Sequence, residues 1–83
     1  MDTPPSLPDC VRANLAAYFD TLGDTEPANL HDMLVRAVEQ PLLQEVMART
    51  RGNQSRAAQW LGLNRNTLRK KLQQHGLLSS GRP

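Results

Sequence analysis

After Glu45 this 83-residue chain contains no acidic residue. Cysteine is nearly as scarce: Cys10 is the only one, so no disulfide within the chain can staple the fold. The two histidines, His31 and His75, stand apart and form no Cys/His cluster with metal-ligand spacing. No apolar run approaches the ~18 residues of a membrane span. The opening MDTPPSLPDC has neither the basic nor the apolar stretch of a secretory signal. A metal cluster, a phosphate-cradling Gly loop and a nucleophile paired with a base are all missing, so enzymatic activity has no support. The expectation is a soluble cytoplasmic protein with no cofactor, no small-molecule substrate and no membrane partner.

What is present must fold with little material. A chain this short buries only ~60–65% of its unfolded surface, so a staple or a partner subunit is expected. With disulfides and metals excluded, oligomerisation remains, and a homodimer is its simplest form.

The formal charge of +2 hides a division. Residues 1–48 carry all eight acids and only Arg12 and Arg36, a net of −6. Residues 49–83 carry eight bases, including Arg82, a net of +8. Such asymmetry points to a polyanionic partner for the basic half, nucleic acid first and anionic membrane second. The acidic half suits holding the chain together.

The periodicity predicts an all-α fold of four helices. Residues 1–6 read as a flexible terminus. Ser6 then caps a helix with Pro8 and Asp9 in its first turn, and Leu7, Val11, Leu15, Tyr18 and Leu22, with Phe19 beside them, form one apolar stripe. Gly23 is placed to end that helix in a left-handed conformation. A second helix opens with Asn29 as its cap, and Leu30, Leu34, Val38, Leu42 and Val46 repeat every four residues. Pro41 lies inside the pattern, and the stripe resumes in phase beyond it. One helix from about 30 to 50, kinked at Pro41, is preferred over two separate helices. The two stripes are wider than a two-helix hairpin can cover. Residues 7–50 are therefore read as a dimerisation core with Leu15, Phe19, Leu34, Val38, Pro41, Leu42 and Val46 inside it.

Residues 51–77 read as a helix-turn-helix, with 78–83 a flexible end. Gly52 is the candidate residue just past the long helix, and Asn53 or Ser55 caps a short helix, QSRAAQWL. Ala57, Ala58 and Leu61 form its inner face, with Trp60 packed at the edge. Gly62 breaks it, and a last helix runs from about Arg65 to Gln74 with only Leu68 and Leu72 facing inward. Two short helices joined by a tight Gly-containing turn are the signature of that motif. Its outward side chains are Arg65, Asn66, Arg69, Lys70, Gln73 and Gln74, with Asn64 and Thr67 at the leading edge. A helix so equipped can enter a DNA major groove, where Arg pairs with guanine and Asn with adenine, while Lys, Thr and Ser suit phosphates. His75 reads as a partner of the helix dipole, His31 as a surface residue and Cys10 as a small, partly buried side chain.

The run VEQPLLQEVMARTRGNQSRAAQWLGLNRNTLRKKL resembles the core and C-terminus of the Fis family, the factors for inversion stimulation of bacteria. EQPLL, TRGNQSRAA and NRNTLRKKL are its specific parts, and the likeness extends more loosely through VRANLAAYFDTL. The resemblance implies a homodimer of intertwined long helices that binds and bends double-stranded DNA, organises the nucleoid and modulates transcription. It implies base-facing roles for Asn64, Arg65 and Arg69, and phosphate contacts from Asn53, Ser55, Arg56, Thr67, Lys70 and Lys71. RNA polymerase or a recombinase are the further partners it suggests. The family's N-terminal β-hairpin arm, which contacts invertases, has no counterpart, so the likeness carries binding and bending but not stimulation of inversion. Gln73 and Gln74 stand where the family often has lysines, which implies weaker contacts to flanking DNA.

Three other readings fit the sequence less well. The C-terminal DNA-binding domain of an NtrC-type enhancer-binding regulator shares the helix-turn-helix but not the long helix with EQPLL. A helical interaction module that ignores DNA would not need an acid-free half. A membrane-surface helix would need bulky apolar residues opposite its bases, and the last helix has only Leu68 and Leu72.

Overall fold

In a computed structural model the chain is described from residue 3 to residue 78. Of the ends expected to be flexible, 1–6 and 78–83, residues 1–2 and 79–83, with Arg82 among them, lie outside the described residues. Four helices follow in order, α1 (Leu7–Leu22), α2 (Leu30–Arg49), α3 (Gln54–Leu61) and α4 (Arg65–Gln74), and no strand occurs among the described residues. The fold is all-α. It divides into two compact units, one ending at Leu30 and the other beginning at His31.

The first unit is α1 and the turn after it. Ser6 caps the helix by accepting from the Asp9 N–H at 3.3 Å, and Pro8 sits in the first turn, where its missing N–H leaves nothing unsatisfied. Asp9 meets the positive end of the helix and pairs with Arg12. Gly23 closes the helix with its N–H on the Phe19 carbonyl, yet at φ 61 and ψ −120 it is not in the expected left-handed helical conformation. α1 contains no buried residue. Cys10 is half-buried, as its size suggests.

The second unit contains α2, α3 and α4. Asn29, just before α2, takes φ 55 instead of the extended backbone of an N-cap, and its side chain makes no capping bond. That corrects the expected start of the helix. α2 runs without interruption through Pro41, so one helix replaces the alternative of two. Its apolar stripe is divided in use. Leu43 is buried, with Val46 and Met47 packed beside it, whereas Met33, Val35, Val38 and Leu42 are exposed. Only the C-terminal end of α2 thus joins the core, which comprises Leu43, Ala57, Ala58, Leu68 and Leu72. For that reason the compact unit includes α2, although the charge pattern suggested a boundary near residue 50.

α2 ends in a Schellman motif: Gly52 donates to the Met47 carbonyl at 2.9 Å and Arg51 to Ala48 at 3.2 Å. Beyond Thr50, the left-handed position expected for Gly52 is taken by Arg51, with φ 55. Gly52 follows at φ 81. The buried hydroxyl of Thr50 is satisfied by donating to the Val46 carbonyl at 2.9 Å.

Candidate nucleic-acid interface

The two short helices are set by matching signals at each end. Asn53 caps α3 by accepting from Arg56 N–H at 3.0 Å, and Asn64 caps α4 by accepting from Thr67 N–H at 2.8 Å. Both caps are neutral, and neither helix has an acid in its first turn. The positive helix ends therefore stay open to an anion. Between the helices lie Gly62, Leu63 and Asn64. Gly62 takes φ 75, ψ 27, and Leu63 N–H reaches back to the Ala58 carbonyl at 3.0 Å, completing a second Schellman motif. A Cβ at Gly62 would touch nothing within 4 Å, so the glycine is required by its backbone angle and not by crowding.

Fully buried Ala57 lets the helices approach closely, and Leu68 and Leu72 fill the space behind α4. The opposite face of α4 is exposed at Arg65, Asn66, Arg69, Lys70, Gln73 and Gln74, with Thr67 half-buried. Asn53, Ser55, Arg56 and Asn64 are exposed nearby on α3 and the two caps. Of the six bases between residues 51 and 72, Arg51, Arg56, Arg65, Arg69 and Lys70 have no acidic partner among the described residues. The helix-turn-helix thus presents a helix whose outward cations Arg65, Arg69 and Lys70 have no acidic partner among the described residues, and residues 51–77 contain no acid.

Lys71 is the exception. It was expected to face phosphates, but its Nζ donates to Glu39 Oε2 at 2.8 Å, turned toward α2. His75 joins it, with Nε2 at 2.9 Å from Glu39 Oε1 and a side chain only 4% exposed. His75 therefore does more than meet the helix dipole. The Lys71 and His75 hydrogen bonds hold the Glu39 carboxyl below its ordinary pKa. Trp60 also departs from expectation, since it is exposed on α3 instead of packed at its edge. The signal for the Glu39 cluster was available: Lys71 and His75 lie on the same face of α4 as Leu68 and Leu72, and a charge on an inner face needs a partner.

The model of the bacterial regulatory proteins of the Fis family matches residues 34–75, the run from α2 through the end of the helix-turn-helix. The chain belongs to the Fis family. Its similarity to individual members extends further: it is 57% identical over 76 residues to a protein named as a Fis-like DNA-binding protein in Neisseria meningitidis serogroup A, covering 92% of this chain and 96% of that one. A protein so named from Ralstonia nicotianae is 55% identical over 69 residues, 83% of this chain and 90% of that one. The DNA-binding protein Fis of Vibrio cholerae is 48% identical over 71 residues, which are 86% of this chain and 72% of its own. The Fis family is a family of regulators and not of enzymes. Among the described residues no helix is long and apolar enough to cross a membrane, and no group of His, Cys, Asp and Glu could hold a metal.

Proposed function

We propose that this Fis-family chain is a cytoplasmic, homodimeric DNA-binding protein that bends duplex DNA through its helix-turn-helix, in nucleoid organisation and transcription regulation. The observation that carries the reading is α4, whose outward face bears Arg65, Arg69 and Lys70 with no acidic partner among the described residues. Arg65 and Arg69 near its start offer forks to guanine O6 and N7, and Asn64 has its side-chain amide N–H groups free beyond the cap. Asn53, Ser55, Arg56, Thr67 and Lys70 ring that end as phosphate partners. Lys71 is left out of the set because its ammonium is bonded to Glu39. So few base contacts leave target choice to groove width and bendability. Names of the relatives agree with DNA as the ligand.

The dimer is supported by what α2 leaves uncovered. Leu34, Val35, Val38, Glu39 and Leu42 line an apolar groove, and Phe19 and Met33 are exposed as well. A second copy is the occupant that would bury such faces, with Leu15, Leu34, Val38, Leu42 and Val46 at the centre. Two recognition helices related by a two-fold axis would then meet successive major grooves, and the DNA between them would bend. RNA polymerase or a recombinase are the protein partners to which the family resemblance extends the reading.

A gel-shift panel of duplexes with equal composition and different minor-groove width tests it. The expected result is submicromolar binding at low salt with a preference that follows groove width. Failure to bind duplex DNA overturns the reading, and uniform affinity across the panel overturns its shape component.

A further inference from the structure

Among the described residues four ion pairs occur, and two of them, Arg12–Asp9 and Arg49–Glu45, are exposed pairs within one helix. The other two share one carboxylate and are the only ones that join different helices. Glu39 stands on α2, and its two oxygens are divided between Lys71 and His75, four residues apart on α4. The acceptor is a carboxylate, so His75 must carry a proton on Nε2, whether its ring is neutral or charged. Side-chain exposures of 18% for Glu39, 31% for Lys71 and 4% for His75 leave the cluster partly dehydrated, where charge-assisted hydrogen bonds are short and strongly directional.

The apolar contacts behind α4 have no such direction. Leu68 and Leu72 against Leu43 hold the helices together, and non-directional contacts of that kind resist rolling and sliding of the recognition helix less sharply than a charge-assisted hydrogen bond does. A carboxylate gripping two successive turns of α4 opposes both motions. We infer that Glu39 is a positioning residue for DNA recognition: it clamps α4 to the long helix through Lys71 and His75, and withholds Lys71 from the phosphates. The inference rests on the DNA-binding reading above. It gains a further consequence if the dimer reading holds, because Glu39 also lines the apolar groove of α2. A second copy seated there would dehydrate the carboxylate further and tighten the clamp, so that dimerisation and the aim of the recognition helix meet in one side chain.

The test compares wild type, Glu39→Gln and Lys71→Gln on a preferred duplex and on random duplex, across a salt series. Glutamine keeps the shape of Glu39 but lacks the charge and has one acceptor oxygen. Glu39→Gln should lower the ratio of specific to random affinity by about tenfold, the scale of one mis-aimed arginine contact. Its salt slope should steepen by up to about two units per dimer as the released Lys71 reaches phosphate. Lys71→Gln should lower the same ratio and leave the slope unchanged. A ratio that stays constant in Glu39→Gln overturns the inference, whether affinity falls on both DNAs through lost folded protein or rises through relief of a repelling charge. So does a slope that becomes shallower in Lys71→Gln, which would return Lys71 to the phosphates. Should Glu39→Gln fail to fold, Lys71→Gln decides the matter alone. If wild type itself does not bind duplex, the DNA reading falls and takes this inference with it; if wild type binds and only the ratio refuses to move, the inference alone falls.

A measurement without DNA adds an independent check. The carboxyl is held below its ordinary value, so its stabilisation is complete above the usual carboxylate range and is lost as pH falls through its lowered value. Wild type should therefore melt above Glu39→Gln at neutral pH, and the gap should close in acid. A gap that persists unchanged in strong acid counts against the clamp.

Discussion

The helix-turn-helix and the N-terminal part of α2 lie in the same compact unit but differ in what holds them. Leu43, Ala57, Ala58, Leu68 and Leu72 form a closed core around the helix-turn-helix, with Leu77 packed on it. Earlier on α2, Met33, Val35, Val38 and Leu42 find nothing to cover them. The first region has few apolar residues, and apart from exposed Trp60 most of them pack in or against the core. The second has many, and they are left over. The difference is what the proposed dimer would explain: a second copy would cover the stripe of α2, while the helix-turn-helix already has its core within one chain.

The strongest way to break that contrast is to place a charge in the uncovered stripe. Val38→Glu should abolish most helical circular dichroism at micromolar concentration, because a core of five side chains is too small to stand alone. A well-folded monomeric variant, seen by scattering, would make α2 a solvent-facing helix and end the dimer reading.

Truncations compare the two regions on one scale. Leu68 is fully buried in a single chain, and Leu68→Ala should cost about 2–5 kcal/mol in denaturant unfolding. Leu42 is 48% exposed in a single chain. If a second copy covers it, Leu42→Ala should cost a similar amount, and melting temperature should rise with protein concentration. A cost of a few tenths of a kcal/mol, independent of concentration, would leave the stripe in water.

Within the basic region the contrast is between reading and holding. Arg65→Ala should cost about 1–3 kcal/mol on a preferred site and much less on random DNA, since a lost guanine fork matters only where guanine is present. Equal losses on both would move Arg65 from bases to backbone.

Much of this was legible locally. Ser6 and Asn53 cap helices because a short oxygen-bearing side chain before an apolar period has few other uses, and Gly62 marks the turn because its φ of 75 suits little else. The cap at Asn64 is not legible in this way, since the pattern reads that residue only as a leading-edge contact. Asn29 takes φ 55 and makes no cap, and Arg51 precedes Gly52 in taking a left-handed angle after α2. Arg51 takes the left-handed position at a strain of ~1–2 kcal/mol, one residue before the glycine that would hold it without strain. The inner-face positions of Lys71 and His75 signalled that a partner was needed, but not that it was Glu39. Its partners lie 32 and 36 residues away, and counting charges by halves put the acid and the bases on opposite sides of a boundary that the fold ignores. What local signals cannot carry is pairing at long range.

The smallest expected effect is also the sharpest test of that boundary. Lys70 and Lys71 are neighbours of the same type, and the charge pattern alone assigns both to phosphate. On α4 they point differently: Lys70 is exposed with no acidic partner among the described residues, while Lys71 is bonded to Glu39. A lysine on phosphate releases about 0.9 of a counterion, so Lys70→Ala in a dimer should make the salt slope shallower by about two units, with equal weakening on preferred and random DNA. At one fixed salt the loss is on the order of 1 kcal/mol per dimer and easily missed, which is why the slope and not the affinity is the quantity to measure. If Lys70→Ala left the slope intact, the exposed face of α4 would not be the one that meets the backbone, and the orientation of the recognition helix would have to be turned by half a revolution.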